Sequence, residues 1–321
     1  MTSPNLSEIV TTTLRNRSGK LADNVTNSNA LLYKMKQRGN VKPVSGGRTI
    51  VQELEYAENS TYKRYAGYET LNTSPSDVFT AAEFDWKQIA VAVTISGLEG
   101  DIQNTGAEQV LDLLESRLKN AERTMMNGIA EDIYSDGTAS SGKQIGGLQL
   151  LVADTPTSGT VGGINRATWE FWRNKKFQCT SDGGSAASSA NIEGFMQTLL
   201  LSCSRGKDRP DLIVSDSGLY QKFWGAMTDR QRITDSKMAE AGFENIKFAG
   251  IPVVPDTDVC PTNHMYFLNT EYIHYRPHRN RNMVPLDAIN SINQDAMVKF
   301  LVWAGNMTLS GARFQGVLFQ T

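Results

Sequence analysis

Between Thr105 and Asp136 apolar side chains recur in steps of three and four, at Val110, Leu114, Leu118, Ala121, Met125, Ile129 and Ile133. That spacing returns to one face of an α-helix turn after turn. The opposite face carries Glu115, Lys119, Glu122 and Arg123. Thr105 and Glu108 form the T-x-x-E pattern of a capping box, and Gly137 stands where a left-handed residue stops a helix. The spacing predicts one helix over 105–136. At about 1.5 Å per residue it runs about 45 Å, enough to cross a molecule from end to end. Any fold open to this chain must be built along that rod.

Two strands are expected before it. In "RTIVQELEY" (48–56) Ile50, Leu54 and Tyr56 share one face, with Glu53 and Glu55 on the other. In "FDWKQIAVAVTIS" (84–96) Ile89, Val91, Val93 and Ile95 alternate with smaller residues. The connection between them, "AENSTYKRYAGYETLNTSPSDVFTAAE", is too long for an ordinary loop, and its charged, Tyr-rich first half cannot fill a core. It reads as a two-stranded excursion away from the body, which needs a partner because an isolated hairpin is marginal in water. Tyr62, Lys63, Arg64, Tyr65 and Tyr68 in "TYKRYAGY" are the candidate contact residues. Tyrosine and arginine are common interface anchors. In a strand, Tyr62 and Tyr68 would share a face and Tyr65 the other. The alternative is a solvated hairpin with no partner.

The other segments are less distinctive. Residues 1–47 are polar, with the weak apolar pattern Leu21, Val25, Leu31, Leu32 and Met35, and form an arm held only by docking. After the long helix come the connector "GKQIGGLQLLV" (142–152) and "GGINRATWEFWRN" (162–174), which holds two of the five tryptophans. Exposed Trp is costly, so Trp169 and Phe171 or Trp172 are expected to pack where the chain leaves the helix region. A subunit contact and a ligand site are the alternatives. "SDGGSAASSA" (181–190) reads as a flexible link. An α/β pattern follows: a helix near 191–204, a strand at 211–215, a helix at 217–227, and strands at 248–255 and 264–269. The last 25 residues suggest two β segments joined through "GNMTLSGA".

The residues offer little chemistry. Lys and Arg number 32 against 34 Asp and Glu, so the basic excess of a dedicated nucleic-acid binder is missing. No run approaches the roughly 18 apolar residues of a membrane span, and the N-terminal stretch has no apolar core of a signal peptide. Cys179, Cys203 and Cys260 fit no disulfide framework or metal pattern and read as thiols of a reducing compartment. His274 and His278 stand four apart, but Pro277 disfavours the helix that would align them. Ser217 reads as a helix N-cap rather than a nucleophile, and Asp256 and Asp258 as a solvated loop. The glycine pairs 46–47, 146–147 and 162–163 match no phosphate-binding fingerprint and read as turns. No catalytic, cofactor-binding or metal residue is nominated, and an enzyme is not expected.

The order of parts says more than any motif. A polar arm, a Tyr-rich excursion, one very long helix, a Gly-Gly connector, an α/β lobe and closing strands resemble the major capsid proteins of tailed bacteriophages, the Hong Kong 97-type fold. The local likenesses are "IGGLQLLV", "TVGGINRATWEFWRN", "PDLIVSDSGLYQKF" and "FAGIPVVPDTDVCPTNHMYFLNTEYI". The resemblance implies an α+β fold with an N-terminal arm (1–47), an E-loop with flanking strands (48–96) and a P domain (97–164) holding the spine helix. An A domain (165–290) and a return to the P domain (291–321) complete it. It implies a subunit that assembles with itself, as hexamers and pentamers, into an icosahedral virion shell around double-stranded DNA. No cofactor and no membrane are expected. The DNA contact is expected to be non-specific, since mild acidity suits a shell that must not grip phosphates. A portal protein and a decoration protein are implied as partners. About 47 residues before the first strand are too few for a built-in scaffold, so a separate scaffolding protein is expected. An encapsulin-like nanocompartment is the nearest alternative, and a cytosolic α+β enzyme the more distant one.

Overall fold

The computed structural model describes residues 29–96, 107–227, 246–256, 259–287, 289–290 and 295–320. The long helix spans Ala107–Tyr134. The arm contributes a first helix, α1 (Ala30–Arg38), so the long helix is α2. Leu118, Ala121, Met125, Ile129 and Ile133 are all buried, which places the apolar stripe on the core side as its spacing requires. The expected cap at Thr105 and Glu108, and the side chains of Val110, Leu114 and Glu115, lie outside the described residues. Gly137, at φ 76°, takes the left-handed conformation just past the helix end.

Three strands precede α2: β1 (Ile50–Glu55), β2 (Phe79–Phe84) and β3 (Lys87–Ser96). β1 pairs antiparallel with β2, from Ile50 opposite Phe84 to Glu55 opposite Phe79. The partner of β1 is therefore "FTAAEF", most of which lies inside the expected connection. Ile50 and Leu54 point inward while Val51, Glu53 and Glu55 are exposed, as the alternation predicts. A sharp turn at Asp85 and Trp86 feeds β3.

The strands after α2 are β4 (Thr160–Val161), β5 (Ile164–Asn165), β6 (Lys175–Gln178), β7 (Leu212–Ser215), β8 (Ile246–Phe248), β9 (Ile251–Pro255), β10 (His264–Leu268), β11 (Ile273–Pro277), β12 (Val284–Pro285), β13 (Ile289–Asn290), β14 (Ala296–Leu309) and β15 (Gly316–Phe319). A short helix α3 (Leu148–Leu151) follows α2, and α4 (Ile192–Cys203) and α5 (Ser217–Ala226) flank β7. The six-stranded sheet has the order β6-β15-β10-β7-β9-β8. A second sheet gathers β3, β11, β12 and β13 around β14.

One finding corrects the expected C-terminal layout. β14 runs unbroken through Gly305, Asn306, Met307 and Thr308, and the chain turns only at Ser310 and Gly311. Ten residues of β14 pair with β3, from Ala296 opposite Ser96 to Gly305 opposite Lys87, and β11 takes over as partner from Gly305 to Leu309, which carries the strand past the Gly. β15 lies between β6 and β10 in the α/β sheet, whereas β11 pairs with β14.

The six-stranded sheet is buried on both faces, and its residues divide between two cores by parity. Ile213, Val253, Met265, Phe267 and Leu318 pack with α4 and α5. Their neighbours Leu212, Val214, Val254, Tyr266, Val317 and Phe319 belong to the larger core with α1 and the end of α2. Successive side chains of a strand point to opposite faces, so one short segment serves both cores.

Within 29–47 the arm docks on its own subunit. Asn29 caps α1 by accepting from the backbone N–H of Leu31 at 2.9 Å, and Leu31, Leu32 and Met35 are buried in the larger core. Val41 and Val44 bridge to Tyr275 and His278 beside β11.

Candidate assembly surface

The excursion between β1 and β2 is held as a ribbon beyond its strands. The Tyr56 N–H donates to the Val78 carbonyl at 3.0 Å, and the hydroxyls of Ser60 and Ser76 meet at 3.3 Å. Farther out, Lys63 Nζ lies 2.8 Å from Glu69 and 3.5 Å from the Thr70 carbonyl. Both legs thus stay side by side from the Tyr56–Val78 pair out to Lys63 and Thr70. Residues 61–68 are not a strand, so the expected alternation of tyrosines between two faces does not arise. Tyr62, Tyr65 and Tyr68 are instead all exposed, with relative residue accessibilities of 80%, 63% and 108%. Lys63 and Arg64 are exposed beside them. Three solvated tyrosines in one eight-residue tip leave much apolar ring area unburied within the subunit.

At the root of the ribbon the two tryptophans of "GGINRATWEFWRN" part ways. Trp172 is buried, and its indole N–H donates to the Val161 carbonyl at 2.9 Å. Trp169 is half exposed, edge-on to Tyr56 with ring centres 5.8 Å apart, and Phe171 lies 5.7 Å from the same Tyr56. These rings, with Asp77, Phe79 and Thr80, line an open pocket of about 310 Å³. Phe79 stands 74% exposed at its edge. Trp172 packs inward as expected, but Trp169, expected to pack as well, stands half exposed and forms with Phe171 an open aromatic cup that the sequence did not disclose.

Arg166, in the same stretch, is buried at 1% exposure. Its guanidinium donates to the carbonyls of Leu150 (3.0 Å) and Leu151, at the end of α3, where the negative pole of a helix and its orphan carbonyls accept a cation. Burial lowers its pKa to about 10, so it remains charged at neutral pH. Asn306, buried on β14, accepts from the Gly146 N–H at 3.1 Å and donates to the Asp85 carbonyl at 2.8 Å. It ties the β2–β3 turn to the connector after α2. Only the sheet register puts it there, and no local signal marks it.

The remaining sequence candidates resolve into structural roles. The N-cap of α5 is Asp216, not Ser217: its carboxylate accepts from Leu219 N–H at 2.8 Å and from Asn263 N–H at 2.7 Å. An ionised carboxylate accepts these donors better than a hydroxyl. Asp256 is not a solvated loop residue, since it accepts from the Tyr134 hydroxyl at 2.7 Å; Asp258 lies outside the described residues. "HYRP" belongs to strand β11 and His278 lies just past it, not on a helix, and His274 and His278 meet different partners, Ser310 and the Trp86 ring. His264 pairs with Asp154 at 3.0 Å. All three cysteines are free and buried, and burial raises the Cys203 thiol to about 12, away from reactivity. Gly162 and Gly163, at φ 58° and 77°, make the β4–β5 turn. Gly147 serves close approach instead: a Cβ there would stand 2.4 Å from the carbonyl oxygens of Asp132 and Ile133. Among the described residues no group of three His, Cys, Asp or Glu side chains could hold a metal, and no helix is long and apolar enough to cross a membrane.

A long core-facing helix, a ribbon reaching out from the body, an arm docked on the α/β lobe and a closing 14-residue strand together define the Hong Kong 97-type fold, of class α+β. The solved structures bear this out. The chain superposes on the capsid protein of cyanophage A-1(L) with a TM-score of 0.63 at 17% identity, over 88% of this chain and 90% of that one. It matches an encapsulin of Synechococcus elongatus with a TM-score of 0.54 at 12% identity, covering 89% and 86%. The procapsid of satellite phage P4, a structure that includes a size determination protein, gives 0.52 at 12% identity, covering 100% and 93%. No family model and no curated protein matches the sequence.

Proposed function

We propose that the chain is the major capsid protein of a tailed bacteriophage, made in the cytoplasm of a bacterial host and assembled into the icosahedral head of the virion around double-stranded DNA. Its role is structural, not enzymatic. The observation that carries the reading is the agreement of element order and path with the cyanophage capsid protein over nearly the whole of both chains. The exposed tip Tyr62–Tyr68 supports it, because a tiling subunit must present surface that is satisfied only by neighbours. We place Tyr62, Lys63, Arg64, Tyr65 and Tyr68 at a subunit contact, and the domain division inferred from the sequence is part of the same reading. A separate scaffolding protein, a portal and a decoration protein are the partners it entails.

The encapsulin likeness favours a second reading, a shell enclosing a cargo protein. Expression with the neighbouring genes of its source, followed by sedimentation and negative-stain microscopy, tests both. Megadalton shells that protect DNA from nuclease support the capsid. Shells that hold a protein and no DNA support the encapsulin. A small oligomer under every assembly condition overturns both.

A further inference from the structure

The cup at the root of the ribbon combines rings that do not stack with a carboxylate that no described residue neutralises. Tyr56 to Trp169, Tyr56 to Phe171 and Trp169 to Phe171 span 5.8, 5.7 and 6.0 Å between ring centres, at interplanar angles of 76°, 38° and 66°. The three rings therefore wall the space in different planes, with the exposed ring of Phe79 at the edge. Asp77 lies on the same wall, and among the described residues its carboxylate has no hydrogen-bond or ion-pair partner. Glu55 stands directly opposite Phe79 in the β1–β2 register and brings a second exposed carboxylate to that edge. Among the described residues lining the cup there is no lysine or arginine.

The walls are set before any ligand arrives. The Trp169 N–H donates to the Asn165 carbonyl at 3.1 Å, and the Trp169 carbonyl accepts from the Trp172 N–H at 3.3 Å. Trp172 is itself anchored in the core through Val161, which fixes the turn that carries Trp169 outward. A preformed site loses little freedom on binding.

The lining selects among ligand classes. An anion meets repulsion from Asp77 and Glu55. A divalent metal requires several oxygen ligands, and the cup sets one carboxylate among rings. A neutral apolar molecule covers the rings but leaves the Asp77 charge facing it without a partner. A cation with an apolar coat satisfies both features, because ring faces attract a cation within about 6 Å of their centres and the carboxylate supplies the opposite charge. A bare ammonium is strongly hydrated and resists being stripped of water, whereas methyl groups on the nitrogen remove that shell and bury ring area. The volume of about 310 Å³ lies at the lower end of the range for ligand pockets and suits a group of that size.

We infer that the cup is a binding site for a small N-methylated alkylammonium cation, held against Tyr56, Trp169 and Phe171 with Asp77 as its counter-charge. The site belongs to the single subunit and does not depend on the shell reading above.

Calorimetric titration of choline chloride into the free, full-length subunit tests the site. The comparison ligand is the neutral isostere of choline, in which a tert-butyl group replaces the trimethylammonium. The expected result is saturable binding of one choline per chain, with the isostere at least about tenfold weaker. Trp169→Leu keeps apolar bulk but loses the negative ring face, and should weaken choline at least about fivefold, while Trp169→Phe should retain most of the affinity. Asp77→Asn, at an exposed position, should weaken choline and flatten the dependence of its affinity on salt. Circular dichroism confirms that each variant is folded, and the wild-type comparison of the two ligands decides even where a Trp169 variant is not. Equal affinity for the isostere overturns the inference, because the cup would then be an apolar hollow only. Unchanged affinity in folded Trp169→Leu protein overturns it as well. So does the absence of saturable choline binding, whether the cup stands open or other residues of the chain fill it. Each of these results leaves the shell reading standing.

Discussion

The phenol of Tyr134 donates a hydrogen bond to the carboxylate of Asp256 across 2.7 Å, joining the last turn of the long helix to the end of β9. The amide of Asn29, at the start of the arm helix, reaches the same oxygen at 3.5 Å. Three elements far apart in sequence thus converge on one carboxylate. Burial first, then the negative charge of Asp256, raises the Tyr134 pKa well above its ordinary value, so the phenol stays a donor. Tyr134→Phe leaves the buried side of Asp256 short of a donor and should lower stability by about 1–3 kcal/mol. Urea denaturation of the free subunit measures it; an unchanged midpoint would show that the arm and Asn29 compensate.

Positions along the apolar stripe of the long helix should differ in weight. Ile129 lies in the larger core, fully buried. Leu118 packs in a small separate cluster with Ile95 and Val93 of β3. A truncated side chain costs more where the surroundings cannot relax, so Ile129→Ala should cost about 3–5 kcal/mol and Leu118→Ala about 2 kcal/mol. Leu118→Asp, an unpaired carboxylate facing Ile95, should be more damaging than either truncation. Denaturant midpoints of the three variants give the order.

His264 should make stability depend on pH. Its Nδ1 faces the Thr262 carbonyl at 2.7 Å and its Nε2 the Asp154 carboxylate at 3.0 Å, so only the imidazolium satisfies both. Burial alone lowers its pKa, but the hydrogen bonds to Asp154 and Thr262, with the charges of Asp154 and Asp216, together raise it. A proton held more tightly in the folded chain stabilises it fully below the unfolded value of about 6.5. That contribution is lost as pH rises through the raised folded value. The wild-type urea midpoint should therefore fall from about pH 6.5 upward, and Asp154→Asn should flatten the fall. An equal slope in the two proteins would remove His264 as the cause.

Gly147 should tolerate no side chain. A Cβ at that position meets the backbone oxygens of Asp132 and Ile133 at 2.4 Å, and neither can move without unwinding the end of the long helix. Gly147→Ala should cost more than Gly159→Ala, whose Cβ meets nothing within 4 Å although its φ is 86°. Thermal melts of the two variants check the ranking.

The tip should separate assembly from folding. Replacing Tyr62, Lys63, Arg64 and Tyr65 together by Ala or Ser removes exposed groups and one exposed ion pair, Lys63 with Glu69. Exposed pairs contribute about 0–1 kcal/mol, so the subunit's melting should hardly change. Particle yield should fall sharply. Normal assembly, or a subunit that no longer folds, would each remove the tip from the contact.

What the sequence determined by itself was local and periodic. The stripe from Leu118 to Ile133 set the long helix and its buried face, because a 3.6-residue period admits one solution over that length. The alternation in β1 and β3 set which residues face inward for the same reason. The polarity of the segment between β1 and β2 marked a ribbon that its own core could not absorb.

Register and convergence were decided only by the tertiary structure. β14 continues past Gly305 because β3 pairs with it up to that residue and β11 pairs with it from there to Leu309, a stabilisation invisible to a local reading of "GNMTLSG". β15 lies in the α/β sheet through pairing with β10 on one side and β6 on the other, partners far from it in sequence. Asp216 rather than Ser217 caps α5 because the backbone turns one residue earlier and brings Asn263 alongside. The cup formed by Tyr56, Phe79 and Trp169 joins residues more than a hundred positions apart, through contacts that no periodicity encodes. Periodic patterns report which way a side chain points relative to its own element, and pairing between elements alone fixes what it meets there.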